Sequence, residues 1–296
     1  MKRAFWLLLL IGALLLAGCA GSGSYTASGY IFDDEGNPIE GVELVLSGGS
    51  SGTITTDAQG YWETEAKGTV TIIPRKEGYA FQPKEAAVTK QEPQAIFTGV
   101  TGKIIGRVSI AGEPPGREVV VTVEYGESGT EEILTDENGE FKIPLDKYPG
   151  EEVWISTYVP DSFTSEEQEE YDLLRWVYIY VPLEPAFLPD LDLYSYGLRL
   201  KKPTDGEEIS GFPYEVEISP YDREVDNLLY YLYFYTFDDT YLGSTDDFTG
   251  TTFSFDGELS EGTAEQDLDW YLGAEFQQDG YYLFAYAGWV TVFYRP

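Results

Sequence analysis

The chain has no histidine, one cysteine, one methionine and few basic residues, with 18 Lys+Arg against 52 Asp+Glu in 296 residues. Without histidine, Ser-His-Asp triads, histidine-bound metals and imidazole acid–base catalysis are excluded. A lone cysteine, Cys19, has no disulfide partner. No phosphate-cradling glycine loop stands between a strand and a helix. A formal net charge of −34 repels nucleic acid and anionic lipid head groups, so neither is an expected ligand. After Leu16 no apolar stretch is long enough to span a bilayer. No cofactor is expected. A pair of carboxylates acting as in a glycosidase stays formally open, but fifty-two candidates single out none, and the chain is read as non-enzymatic.

What the chain does have begins at its first residues. Lys2 and Arg3 precede an apolar run, Phe5 to Leu16, that is the layout of a secretory signal rather than a membrane span. It closes on Leu16-Ala17-Gly18-Cys19, which resembles the lipobox of bacterial lipoproteins. The resemblance implies diacylglyceryl transfer to the Cys19 thiol and cleavage after residue 18, which leaves no thiol for catalysis or zinc. Each buried CH₂ of such a chain contributes about 0.8 kcal/mol, and two chains anchor stably. Removing residues 1–18 takes away Lys2 and Arg3 and no acidic residue, so 16 basic residues then face 52 acidic ones, a net charge of −36. Ala20 after the cysteine, where Asp would stand in a retained protein, points to an outer membrane or cell surface. Residues 19–28 read as a lipidated, flexible tether, about 30 Å at full extension.

The remainder alternates short runs of Val, Ile, Tyr, Phe and Thr with Gly, Pro, Asn and Asp clusters about every ten residues. That is the pattern of all-β material, sandwich or barrel, and a tandem of β-sandwiches is the expected architecture. The one helix candidate is Ser165–Leu174, with Ser165 and Gln168 as a capping box. Two stretches repeat at an offset of 77 to 79 residues. Gly29-Tyr30-Ile31-Phe32, Gly41 to Leu46 and Thr56-Asp57-Ala58-Gln59-Gly60-Tyr61-Trp62 mark one copy. Gly106-Arg107-Val108-Ser109, Val119 to Val123 and Thr135-Asp136-Glu137-Asn138-Gly139-Glu140-Phe141 mark the other. In each, Thr-Asp-x-x-Gly predicts a hairpin turn in which Asp bonds its own backbone and Gly supplies a positive φ.

With Gly36-Asn37-Pro38-Ile39-Glu40-Gly41-Val42 and Gly68 to Pro83, the first copy (29–99) resembles a carboxypeptidase regulatory-like domain, a family with a prealbumin-like sandwich and no catalytic residues of its own. The second copy, 101–194, resembles it more distantly, through the retained Thr135-Asp136, Gly139 and Phe141. Residues 195–296 open with Gly197-Leu198-Arg199-Leu200 and Pro203-Thr204-Asp205-Gly206. They continue through Tyr214-Glu215-Val216-Glu217-Ile218, Leu228–Phe237 and Trp270-Tyr271-Leu272. This part resembles a fibronectin type III-like domain, with Val216 or Ile218 in place of the usual third-strand tryptophan.

Two site candidates stand out. Asp33-Asp34-Glu35-Gly36-Asn37, Asp136 to Gly139, Asp190/Asp192, Asp238-Asp239 and Asp246-Asp247 concentrate oxygen atoms, but none has EF-hand spacing. They are read as turn residues, with calcium at Asp190/Asp192 as the alternative. Tyr231, Tyr233, Tyr235 and Phe237 alternate on one strand face, with Leu232 and Phe234 on the other. Such a row is either covered by a neighbour or free to stack sugars or grip a peptide. The expected function is adhesion, display or scaffolding in the cell envelope. Alternatives are a carbohydrate- or peptide-binding lipoprotein and an accessory subunit of an envelope complex. Expected partners are the membrane through Cys19 and an envelope protein or polysaccharide.

Overall fold

The computed structural model describes residues 23–158, 164, 173–174, 176–211, 213–236, 240–245, 247–255 and 266–295. Cys19, the apolar run before it, Phe237, Asp238-Asp239 and Asp246 lie outside these residues, as does the expected helix apart from Leu173 and Leu174. Among the described residues the chain is all-β, and the only helical piece is the 3-10 turn Leu145–Lys147. The chain divides into two compact units: one runs to Gly102 and includes Pro185–Phe187, the other holds Lys103–Glu184 and Leu188 onward.

In the first unit the strands are β1 (Tyr25–Asp33), β2 (Glu43–Gly48), β3 (Gly52–Thr55) and β4 (Tyr61–Ala66), followed by β5 (Val70–Arg75), β6 (Ala80–Gln82), β7 (Ala86–Val88) and β8 (Gln94–Val100). They form two four-stranded sheets, β4-β1-β8-β6 and β3-β2-β5-β7, with β1 and β8 parallel. Alternate side chains point inward, and Ile31, Leu44, Trp62, Val70, Ile72 and Phe97 fill the space between the sheets. The tether expected over 19–28 is corrected here, because β1 begins at Tyr25. Tyr25 to Ser28 pair with Ala66 to Glu63, Ala27 is fully buried, and the Tyr25 hydroxyl reaches the Gly68 carbonyl at 2.8 Å. Small polar residues read as linker because their composition hides those long-range partners.

The second unit continues with β9 (Lys103–Ser109), β10 (Val120–Tyr125), β11 (Gly129–Leu134) and β12 (Glu140–Pro144). Next come β13 (Glu152–Tyr158), β14 (Trp176–Pro182), β15 (Ala186–Phe187, grouped with the first unit) and β16 (Leu191–Asp192). The last hundred residues add β17 (Arg199–Lys202), β18 (Glu208–Ile209), β19 (Tyr214–Ser219) and β20 (Asp226–Thr236). They end with β21 (Tyr241–Ser244), β22 (Thr252–Phe255), β23 (Gln266–Gln278) and β24 (Tyr281–Tyr294).

The duplication is visible bond by bond. Strand order β3-β2-β5-β7 in the first copy becomes β11-β10-β13-β14 in the second, and the parallel pair β1/β8 becomes β9/β16. Asp57 accepts from the N–H groups of Gln59 and Tyr61, and Asp136 from those of Asn138 and Glu140, all at 2.9 Å. The buried Thr56 and Thr135 hydroxyl oxygens accept from Val42 N–H and Val119 N–H. Gly60 and Gly139 have φ of 69° and 82°, and a Cβ there would lie 2.4 Å from the Ile31 carbonyl oxygen and 2.1 Å from that of Val108. Gly139→Ala is therefore expected to destabilise the second unit by about 2 kcal/mol through left-handed strain and the displaced carbonyl. Calorimetry of the whole chain checks this: the loss should fall on one transition, and Gly60→Ala should lower the other.

One difference between the copies organises everything after it. The edge strand β7 has three residues, whereas its counterpart β14 has seven and pairs antiparallel with β24, Trp176 opposite Tyr286 and Ile179 opposite Leu283. The second copy and the last hundred residues, expected as separate sandwiches over 101–194 and 195–296, thus share one sheet, β11-β10-β13-β14-β24-β23-β20-β21, with β18 also pairing β24. On one side of the C-terminal half lies the three-stranded sheet β17-β19-β22. Between them Trp270, fully buried, meets Phe234 at 4.8 Å, Phe255 at 5.8 Å and Tyr214 at 5.9 Å, while Val216 and Ile218 are also fully buried.

Candidate functional site: an aromatic sheet face

Strand side chains alternate between faces, and here the two faces differ in chemistry. Val153, Ile155, Val177, Ile179, Val181 and Leu283 point to the core and are at most 1% exposed. Between them, Trp154, Ser156 and Tyr158 of β13 and Trp176, Tyr178 and Tyr180 of β14 point the other way. The register carries this face across the seam: Trp176 stands opposite Tyr286 and Tyr178 opposite Phe284, with ring centroids 4.6 and 4.5 Å apart. Tyr286 meets Tyr231 at 5.8 Å, Tyr231 meets Tyr233 at 5.0 Å, and Tyr235 meets Tyr271 at 5.2 Å. Trp176 closes the circuit to Tyr271 at 6.4 Å. Aromatic pairs at such spacing each contribute about 0.5–1.5 kcal/mol beyond their buried area.

The three tyrosines singled out in the sequence are on this face, and Leu232 and Phe234 are in the core behind it. They are not equally presented. Tyr231 is 5% exposed, because Tyr286 and Tyr233 pack against its ring, and it lies directly over Gly273. Tyr233 and Tyr235 are half-buried. Burial raises the Tyr178, Tyr231 and Tyr286 hydroxyls above the ordinary phenol pKa, so all three stay neutral. The middle of the face is thus closed by its own rings.

The open part lies toward β10. Ser156 is small, sits between Trp154 and Tyr158 on its strand and faces Thr122 and Tyr178 across the ladders. That gap leaves a cleft of about 530 Å³ lined by Glu124, Trp154, Ser156, Tyr158, Trp176 and Tyr178. Trp154 is 42% and Tyr158 39% exposed. A second cleft of about 520 Å³ shares Glu124 and Trp154 and runs over the β10–β11 turn, where Glu127, Glu151 and Glu152 also line it. The cleft residues were not singled out from the sequence. The signal was present as aromatic–aliphatic alternation in Trp154-Ile155-Ser156-Thr157-Tyr158 and Trp176-Val177-Tyr178-Ile179-Tyr180.

Of the acidic candidates, Asp33, Asp136, Asp190 and Asp192 are held by protein donors. Asp33 accepts from the backbone N–H groups of Glu35 and Asn37 and from the Asn37 side chain. Burial opposes its ionisation, but these bonds outweigh that and hold its pKa below the ordinary value. Asp190 forks onto Arg107. Asp192, 3% exposed, accepts from the N–H groups of Ala111, Gly112 and Tyr194 and from the Tyr196 hydroxyl, with Arg223 at 3.6 Å. Its oxygens are thus occupied by protein donors. Among the described residues there is no group of three or more His, Cys, Asp or Glu placed to hold a metal ion.

No family model and no curated protein matches the chain. Solved structures similar to it include a streptococcal ancillary pilin, 14% identical, covering 57% of this chain and 62% of that one at a TM-score of 0.23. The Bacillus anthracis TIE protein is 10% identical over 92% of this chain and 50% of its own, at a TM-score of 0.25. BcpA, the major pilin subunit of Bacillus cereus, is 8% identical over 89% and 95%, at 0.27. The chain spans less than two thirds of the first two. TM-scores this low leave the functional argument to the residues themselves.

Proposed function

We propose that the chain is a non-enzymatic lipoprotein of the cell envelope, anchored through Cys19, whose aromatic sheet face in the second unit makes adhesive contact with an envelope partner. The observation that carries this reading is the cleft over Ser156, where exposed tryptophan and tyrosine rings stand on a rigid hydrogen-bonded sheet rather than on loops. Exposed aromatic surface of this kind marks interaction sites, and rigid rings lose little entropy on binding. The strand order of the last hundred residues, β17-β19-β22 facing β21-β20-β23-β24, supports the fibronectin type III-like assignment. The matching Thr-Asp-x-x-Gly turns support a regulatory-like origin for both earlier sandwiches.

The test compares wild type, Cys19→Ser and the double variant Trp154→Ala/Trp176→Ala. Radiolabelled palmitate should label the wild type and not Cys19→Ser. Detergent-solubilised envelope components should be retained by the wild type and at least ten-fold less by the double variant. Equal retention sinks the role of the face, and equal labelling sinks the anchor.

A further inference from the structure

Resting on that reading of the aromatic face, we propose that the cleft selects a cationic ligand: a lysine- or arginine-bearing extended segment of a protein partner. The faces of Trp and Tyr rings are electron-rich, and a cation seated on them is held most strongly where water is excluded. Trp154, Tyr158, Trp176 and Tyr178 surround the gap left by Ser156, and Glu124 stands at its rim. Glu124 and Trp154 also belong to the adjoining cleft, whose further carboxylates are Glu127, Glu151 and Glu152. Among the described residues neither lining contains a lysine or an arginine. The two clefts thus form one surface, aromatic at one end and acidic at the other, on a chain of net charge −34. An extended peptide with basic side chains two residues apart, about 7 Å along the strand, places one cation on the rings and the next among the carboxylates. The field of the chain accelerates capture of such a segment and opposes anionic polymers.

The experiment uses the mature chain, calorimetry and three probes: an uncharged-capped Arg-Gly-Arg-Gly-Arg peptide, the same peptide with Glu for Arg, and a neutral oligosaccharide. The basic peptide should bind, the acidic peptide should not, and affinity should fall steeply with added salt. Trp154→Ala/Trp176→Ala leaves the charge unchanged and should weaken the basic peptide at least ten-fold, about 1.4 kcal/mol. Glu124→Gln should weaken it several-fold. Unchanged affinity in the double Trp variant overturns the inference, since diffuse attraction would then account for binding. Tryptophan-dependent binding of the neutral oligosaccharide without the basic peptide also overturns it while leaving the aromatic face as a contact surface. If no probe binds and envelope retention ignores the tryptophans, both fall.

Discussion

Replacing Trp270 with alanine is expected to destabilise the second unit by about 3–5 kcal/mol, the cost of truncating a large core aromatic. Trp270 is fully buried on β23 and contacts Phe234, Phe255 and Tyr214, which come from both sheets of the C-terminal sandwich. Its removal leaves a cavity bounded by rings whose backbones are pinned in ladders, so little collapse can offset it. Differential scanning calorimetry should show one transition lowered by roughly 10 °C, while the transition of the first unit stays in place. Trp270→Phe should cost clearly less: it keeps most of the ring contact and removes an indole N–H that has no hydrogen-bond partner among the described residues. Equal losses for the two variants would show that shape filling is not what Trp270 provides.

Asp192→Ala is the second change of this size, for a different reason. The carboxylate gathers three backbone N–H groups and the Tyr196 hydroxyl at 2.7 to 3.2 Å and faces Arg223. It thereby supports Ala111 and Tyr196 at φ of 53° and 48°, left-handed conformations that neither side chain favours. Truncation strands these donors and the Arg223 charge together, and about 3–5 kcal/mol is expected. Asp192→Asn keeps the shape but loses the charge and turns an N–H toward donors, so it should recover only part. The check is urea unfolding followed by near-ultraviolet circular dichroism, to which Tyr194, Tyr196 and Tyr221 contribute. A loss below about 1 kcal/mol would mean that the surrounding loops satisfy one another without Asp192.

How much of this was legible in the sequence depends on the range of the interaction. The turns at Asp57 and Asp136 are local, set by residues within five positions, so Thr-Asp-x-x-Gly announced both turns and the duplication; the expected hairpins did not follow, because β3 and β4, like β11 and β12, join different sheets instead of pairing with each other. Alternation over Tyr231 to Phe234 gave the correct faces for β20, since a strand's pleat is also local. Three features were not legible because they are settled by distant partners. Tyr25 looks like linker until the Gly68 carbonyl is known to receive its hydroxyl. Asp190 and Asp192, read as turn residues, leave calcium open as an alternative until Arg107 and Arg223 are found beside them. The cleft over Ser156 exists only because β10, β13 and β14 lie side by side in one register. Nothing in the spacing of Trp154 and Trp176 states that adjacency.

The seven-residue β14 has a mechanical consequence. β24 is laced on one side to β14 and on the other to β23, where thirteen residues, Gln266 to Gln278, pair along its length. A pull directed along β24 loads these hydrogen bonds in shear, so they must yield together rather than one after another. In a short edge strand such as β7 that load would rest on three residues. The longer β14 makes the second copy and the last hundred residues one continuous sheet, so under such a pull the rings mounted on it would keep their spacing.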